Sequence, residues 1–310
     1  MANLTPDALA DAIAAGQFDK VLAAVDGGLS KDSCFSGRPL LIEAAAAGAT
    51  VLVEGLLNRG ADVAKEAPDG STAVMLAAQH GHESTVGLLL DRGADVEAQD
   101  KDGWTAVMLA AFKGHESTVG LLLDRGADVE AQDKDGWMAV MLAAQHGHES
   151  TVGLLLDRGA DVEAQDKKGS TAVMLAAQNG HKSTVGLLLD RGADVEARSK
   201  DGSTAVMLAA FKGHESTVGL LLDRGADVEA RSKDKDGWTA VMLAAQHGHE
   251  STVGLLLDRG ADVEVTNVAG ENALSVAAST SVTRMLEQTD GFQRWHRRAN
   301  LALWRRASWK

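Results

Sequence analysis

The chain has 310 residues, of which 33 are Gly, three Pro, one Cys and none Tyr, and its formal charge is −14. Hydrophobic residues make up 45% of it, enough for a packed core, so wholesale disorder is excluded. With five Phe and six Trp, a large solvent-facing aromatic surface is excluded too. The negative charge opposes nucleic-acid binding by the body of the chain, because phosphates would be repelled. Cys34 has no internal disulfide partner, which fits a reducing compartment. The run from Met1 to Gly16 has acids where a secretory signal needs a basic start. No apolar run approaches the ~18–20 residues of a membrane span. A cytoplasmic chain is expected, with the nucleus as the alternative location.

In chain order, residues 1–35 carry Leu9, Ile13, Gly16, Phe18, Val21 and Val25, the pattern of a capping helix pair. Residues 36–69 are a divergent copy of the segment repeated after them. That segment begins at Asp69 and recurs at Asp102, Asp135, Lys168, Asp201 and Asp236, in four steps of 33 residues and one of 35. The longer step contains two extra residues within Arg231–Lys235. Four glycines per copy account for most of the glycine excess, which is therefore positional. A fixed period of this length marks an array in which each unit buries its apolar face only against neighbours.

One copy reads as helix, turn, helix and finger. Thr105–Lys113 is a short helix, apolar almost all round and so sandwiched between others. Gly114 suits a left-handed terminus. His115-Glu116-Ser117-Thr118 opens a second helix, with Val119, Leu122 and Leu123 as its buried stripe. Gly120 inside that helix costs about 1 kcal/mol against Ala, and close approach of the adjacent helix is its expected use. Gly126–Gly136 is an extended, hairpin-like excursion that ends in an Asp-Gly turn signal. After the last full copy, Gly270–Ala278 opens a closing repeat without the Gly-His turn, and Val282, Met285 and Leu286 arrive four residues early.

The copy DKDGWTAVMLAAFKGHESTVGLLLDRGADVE resembles the ankyrin repeat over residues 36–287. The family signature runs D-x-x-G-x-T-P-L-H-x-A-A-x-x-G-H, then a Leu-Leu pair and G-A-D-V-N. The resemblance implies an all-α ankyrin-repeat solenoid of about nine stacked units including caps, with a tail at residues 288–310. Three departures recur: Ala106 and its counterparts for Pro, Met108 and its counterparts for His, and Glu97, Glu130 and theirs for Asn. In the family that His and Asn tie loops together, so their loss predicts looser fingers. In the copy from Asp135, Met138 also replaces the signature Thr.

The resemblance further implies a non-enzymatic scaffold or adaptor that binds another protein through finger tips and the inner face of the first helices. Carried over copy by copy, the partner-binding positions are Lys101, Trp104, Phe112 and Lys113, then Lys134, Trp137, Gln145 and His146. They continue with Lys168, then Phe211 and Lys212, then Trp238 and His247. Lys and Arg cluster here whereas Asp124, Asp128 and Glu130 sit elsewhere, so the groove is expected to be less acidic than the body. Trp104 and Trp137 should form one patch on adjacent tips, with Trp238 standing apart. Exposed Trp is typical of binding hot spots; the competing reading has these rings lying flat to shield the fingers.

Other chemistry is not supported. The H-x-H pairs (His80/His82, His146/His148, His247/His249) invite a metal reading, but repeats ~10 Å apart cannot share ~2 Å bonds. A turn role for the second His fits better. Gly180–Thr184 lacks the Gly-Lys pair of a phosphate loop. No nucleophile–base set stands at a single unrepeated place, and neither an enzyme nor a cofactor is expected. The tail is the exception to the repetition: Trp295, Arg297, Arg298, Trp304, Arg305 and Arg306 lie in an acid-free stretch, leaving −20 on residues 1–290. Three readings compete: it caps the last repeat, it binds a membrane surface or a calmodulin-like partner as basic amphipathic segments do, or, least favoured, its Arg pairs serve nuclear import or nucleic-acid contact. A tail-anchored adaptor and a spacer without a strong partner are the alternative functions. The chain is expected to be monomeric.

Overall fold

The computed structural model describes residues 6–30, 34–35, 37–233 and 237–289. Two compact units divide the chain, residues 1–161 and 162–310.

The first unit opens with α1 (Pro6–Ala14) and α2 (Phe18–Asp26), joined at Gly16, and buries Leu9, Ala12, Ile13 and Val21. Strands β1 (Cys34–Phe35) and β2 (Arg38–Pro39) pair antiparallel, Cys34 opposite Pro39. Four helix pairs follow: α3 (Leu40–Ala46) with α4 (Thr50–Asn58), α5 (Ala73–Gln79) with α6 (Glu83–Asp91), α7 (Ala106–Lys113) with α8 (Glu116–Asp124), and α9 (Ala139–Gln145) with α10 (Glu149–Asp157). Each first helix packs on the next first helix, α3 on α5, α5 on α7 and α7 on α9. In the second unit α11 (Ala172–Gln178), α13 (Ala205–Lys212) and α15 (Ala240–Gln246) pack in the same way, each backed by its second helix. Those second helices are α12 (Lys182–Asp190), α14 (Glu215–Asp223) and α16 (Glu250–Asp258). In the closing repeat residues 273–276 form only a turn; a helix over 280–289 buries Val282 and Leu286, and Ala278 N–H donates to the Ala245 carbonyl at 3.0 Å. Among the described residues no helix is long and apolar enough to cross a membrane.

The sandwiched position of the first helices explains their sequence. Ala106, Val107, Met108, Ala110 and Ala111 are all buried, which only an almost wholly apolar helix tolerates. Thr105 stands just outside α7 in extended backbone, its hydroxyl 3.5 Å from Met108 N. On the second helices the buried stripe is Thr118, Val119 and Leu122, with Leu123 half-buried where it was expected inside. The hydroxyl of Thr118 has no hydrogen-bond partner. The equivalent Thr85 is satisfied by Thr50 of the preceding repeat at 2.7 Å, a position filled by Glu83 beneath Thr118.

The fingers are tight turns, with no strand pairing among their described residues. Asp100 N–H donates to the Trp104 carbonyl at 3.0 Å, and Lys101 N–H reaches the preceding finger at Asp69 O, 2.9 Å away. On either side of the two-residue insertion the described residues keep the pattern: Ser232 N–H closes on Trp238 O, and Lys233 N–H bonds Asp201 O. Replacement of Asn by Glu does not leave the fingers untied. Asp128 N–H donates to Glu97 Oε1 at 2.7 Å, and Glu130, Glu163, Glu196 and Glu229 take the corresponding bonds from Asp161, Asp194, Asp227 and Asp262. The longer carboxylate reaches the next repeat and accepts as Asn would.

Glu229 is the strained member of this ladder. Burial raises its carboxyl above the ordinary carboxylate range, and the nearby Asp262 and Asp227 charges add to the rise, against the Asp262 N–H bond and Arg231. The folded state therefore holds a proton at Glu229 more tightly than the unfolded chain does. Its contribution to stability is fully present below about pH 4.3, the ordinary Glu value, and is lost as pH rises through the raised folded value. Glu229→Gln keeps an acceptor for Asp262 N–H without the charge. It is expected to raise Tm by about 1 °C at pH 7, the size of a fraction of a kcal/mol, and to give no gain at pH 4 in circular-dichroism melts.

Candidate functional site

The finger carboxylates position the tryptophans. Asp100 Oδ1 accepts from Asp102 N–H and Trp104 N–H, both at 2.9 Å. Asp133 Oδ1 does the same for Asp135 and Trp137 at 2.8 Å. A short acceptor held by two backbone donors stiffens the turn, and each Trp side chain then leaves it toward the end of the first helices.

In the first unit Trp104 and Trp137 line one recess of about 360 Å³, together with Phe112, Leu142, Gln145, Lys134 and the carboxylates Asp102, Asp133 and Asp135. The Trp104 ring meets Phe112 edge-on at 5.5 Å, and Phe112 meets His146 edge-on at 4.3 Å. Lys113 Nζ lies 5.0 Å from the centre of the Phe112 ring, within cation–π range. Trp104, Phe112 and Trp137 are half-buried, and His146 is exposed. Lys101 is exposed on its finger, where its backbone joins the preceding turn.

The second unit repeats the arrangement with different walls. Trp238 lines a recess of about 210 Å³ with Phe211, Met207, Leu208, Leu243, Gln178, Asp201, Ser203 and Ser232. Phe211 packs edge-on against His247 at 4.3 Å, with Lys212 Nζ 5.3 Å from the Phe211 ring centre. Both recesses come from one sequence device, a Phe-Lys pair in one copy followed by Trp and Gln-His in the next, a link that no single copy displays. Ser203 occupies the place that Trp104 holds in the first recess. Lys168 lies in a finger turn, its N–H bonded to Asp166 Oδ1 at 2.8 Å and its carbonyl to Lys200 N–H; it lines neither recess. The tail positions Trp295, Arg297, Arg298, Trp304, Arg305 and Arg306 lie outside the described residues.

The charged side chains fall into two groups. The acids at the ends of the second helices are matched: Arg125 pairs with Asp91, Arg158 with Asp124, Arg224 with Asp190 and Arg259 with Asp223, at 2.7–2.8 Å. Each such pair bridges neighbouring repeats. At the first recess three carboxylates face a single lining Lys, so this part of the groove is acidic. Asp133 stands there as the acceptor for Trp137 N–H, whereas Asp102 and Asp135 come from the Asp-Gly ends of the two fingers.

The recurring histidines are turn elements. His115 Nε2 lies 3.1 Å from the Gln79 carbonyl of the preceding repeat, and His82, His148, His214 and His249 make the same contact at 3.0–3.1 Å. A carbonyl only accepts, so each ring carries its proton on Nε2. The first His of each pair binds its own helix, as His146 Nδ1 does at the Leu142 carbonyl, 3.0 Å away.

A family model of ankyrin repeats in three copies matches residues 9–100, 41–133, 75–166, 117–199, 140–232 and 228–289. The chain belongs to the ankyrin-repeat family. No curated protein sequence matches it. Ankyrin repeats are generally protein–protein interaction modules, and the two recesses lie on the finger and first-helix side that the family resemblance marked for binding.

Proposed function

We propose that this ankyrin-repeat protein is a non-enzymatic scaffold that binds a partner protein across its finger tips and first helices. The carrying observation is the aromatic recess of the first unit, which Phe112 of one repeat and Trp137 of the next both line, with Trp104 packed edge-on against Phe112. Half-buried aromatic side chains around an open recess offer apolar area already held in place, so little side-chain order is lost on binding. The histidines and the Asp residues at the finger bases support a structural role instead of a catalytic one, because their polar atoms already serve turns.

Trp104→Ala/Trp137→Ala tests this reading. The variant is expected to keep the helical circular-dichroism signal and to lose partners that wild type captures, with affinity for any purified partner falling at least ~30-fold, the scale of a hot spot of about 2 kcal/mol. If the rings only shield fingers, Tm falls and partner affinity stays unchanged, and the proposal is rejected.

A further inference from the structure

We propose that the recess between Trp104 and Trp137 receives a basic side chain, arginine or lysine, from an extended segment of the partner. This inference rests on the scaffold reading above and adds the chemistry of what is recognised. Trp104, Phe112 and Trp137 supply aromatic faces and edges, and Asp102, Asp133 and Asp135 supply carboxylates. Aromatic faces attract cations through the ring quadrupole, and carboxylates accept charge-assisted hydrogen bonds from guanidinium or ammonium groups. A cationic side chain uses both features at once and also supplies the charge that the lining lacks.

The charges at the site favour a cationic occupant. Asp133 is occupied on one oxygen by its own turn. Among the described residues the exposed carboxylates of Asp102 and Asp135 have neither an ion pair nor a hydrogen-bond partner. Lys134 is the only basic residue in the lining, and Lys113, held over Phe112, is not part of it. Two net negative charges therefore face a recess of about 360 Å³, a volume typical of sites that enclose small groups. The recess of the second unit provides an internal comparison. There Ser203 replaces the upstream Trp, Asp201 is the one acid, and Met207, Leu208 and Leu243 form much of the wall, so that recess lacks the feature selecting a cation.

The test uses the full chain to select from a phage-displayed library of random heptapeptides at 0.15 M NaCl. Peptides whose capture needs Trp104 and Trp137 are expected to share Arg or Lys at one fixed position. Changing that residue to citrulline, an uncharged analogue of arginine, should weaken a synthetic peptide at least tenfold. Asp102→Asn/Asp135→Asn should weaken the original peptide three- to tenfold, and Phe211→Ala/Trp238→Ala should leave it unchanged. Selected peptides without a basic residue, or peptides insensitive to the Asp pair yet lost in Trp104→Ala/Trp137→Ala, overturn this inference while the scaffold reading stands. Recovery of no peptide dependent on the two Trp residues overturns both. An affinity gain of tenfold or more when Arg297, Arg298, Arg305 and Arg306 are changed to Gln would make the chain's own tail the occupant, and the partner assignment would fall.

Discussion

Changing Gly87, Gly120, Gly186, Gly219 and Gly254 to Ala together is expected to raise Tm by at least about 6 °C. Each lies inside a second helix, where Gly costs roughly 0.8–1 kcal/mol against Ala through backbone entropy. The sequence suggested close approach of a neighbouring helix as the compensation, and the geometry removes it. A Cβ at Gly87, Gly120, Gly186 or Gly219 would meet only one Leu methyl of the next repeat, at 3.5–3.8 Å, and at Gly254 it would meet Met285 Sδ at 3.7 Å. Those are ordinary van der Waals separations, so the methyl adds contact without displacing anything. Five sites then sum to about 3–5 kcal/mol, and a shift of about 2 °C per kcal/mol suits a chain of this size. Gly55 is the control, because its Cβ would fall 2.7 Å from Leu22 Cδ1 of the capping pair. Alanine there must push Leu22 aside and is expected to give no gain. Circular-dichroism melts of the five-site variant decide the matter; a fall in Tm would show that these helices do depend on the missing side chains.

The features legible in the chain come from its 33-residue period. Helix pairs, the Gly-His turn and the Trp-bearing fingers each lie within one repeat, so local spacing reveals them. The features it hid are built between repeats. Glu97 takes over the Asn tie only because its partner, Asp128 N–H, stands 31 residues on, a distance at which no local pattern advertises a bond. The recess that Trp238 lines also includes Phe211 of the preceding repeat, a pairing that neither copy displays alone. The carboxylates of the first recess are a related case. Asp102 belongs to one finger and Asp133 and Asp135 to the next, so no single copy displays the three carboxylates together.

Gly114→Ala is expected to act in the opposite direction from the helical glycines, with a loss of about 3 kcal/mol. Gly114 ends α7 at φ 74°, ψ 25°, a left-handed conformation costing an L-residue roughly 1–2 kcal/mol. Space adds to the backbone cost. A Cβ at Gly114 would lie 2.5 Å from Nδ1 and 2.7 Å from Cγ of His148, so the imidazole of the next repeat must leave its seat. That ring is held by its Nε2 contact to the Phe112 carbonyl at 3.1 Å, and losing a part-buried hydrogen bond costs about 1 kcal/mol more. The same ring presses on Gly81, Gly180 and Gly213 in their own repeats, through His115, His214 and His249 at 2.5–2.7 Å. A double-mutant cycle separates the two costs. His148→Ala alone forfeits the carbonyl contact; in Gly114→Ala/His148→Ala the clash is gone while the backbone strain stays. The pair is therefore expected to lose about 1 kcal/mol less than the sum of the single changes, measured by urea unfolding. Simple additivity would mean that the left-handed backbone alone keeps a side chain out of this turn, and that His148 acts only through the Phe112 carbonyl.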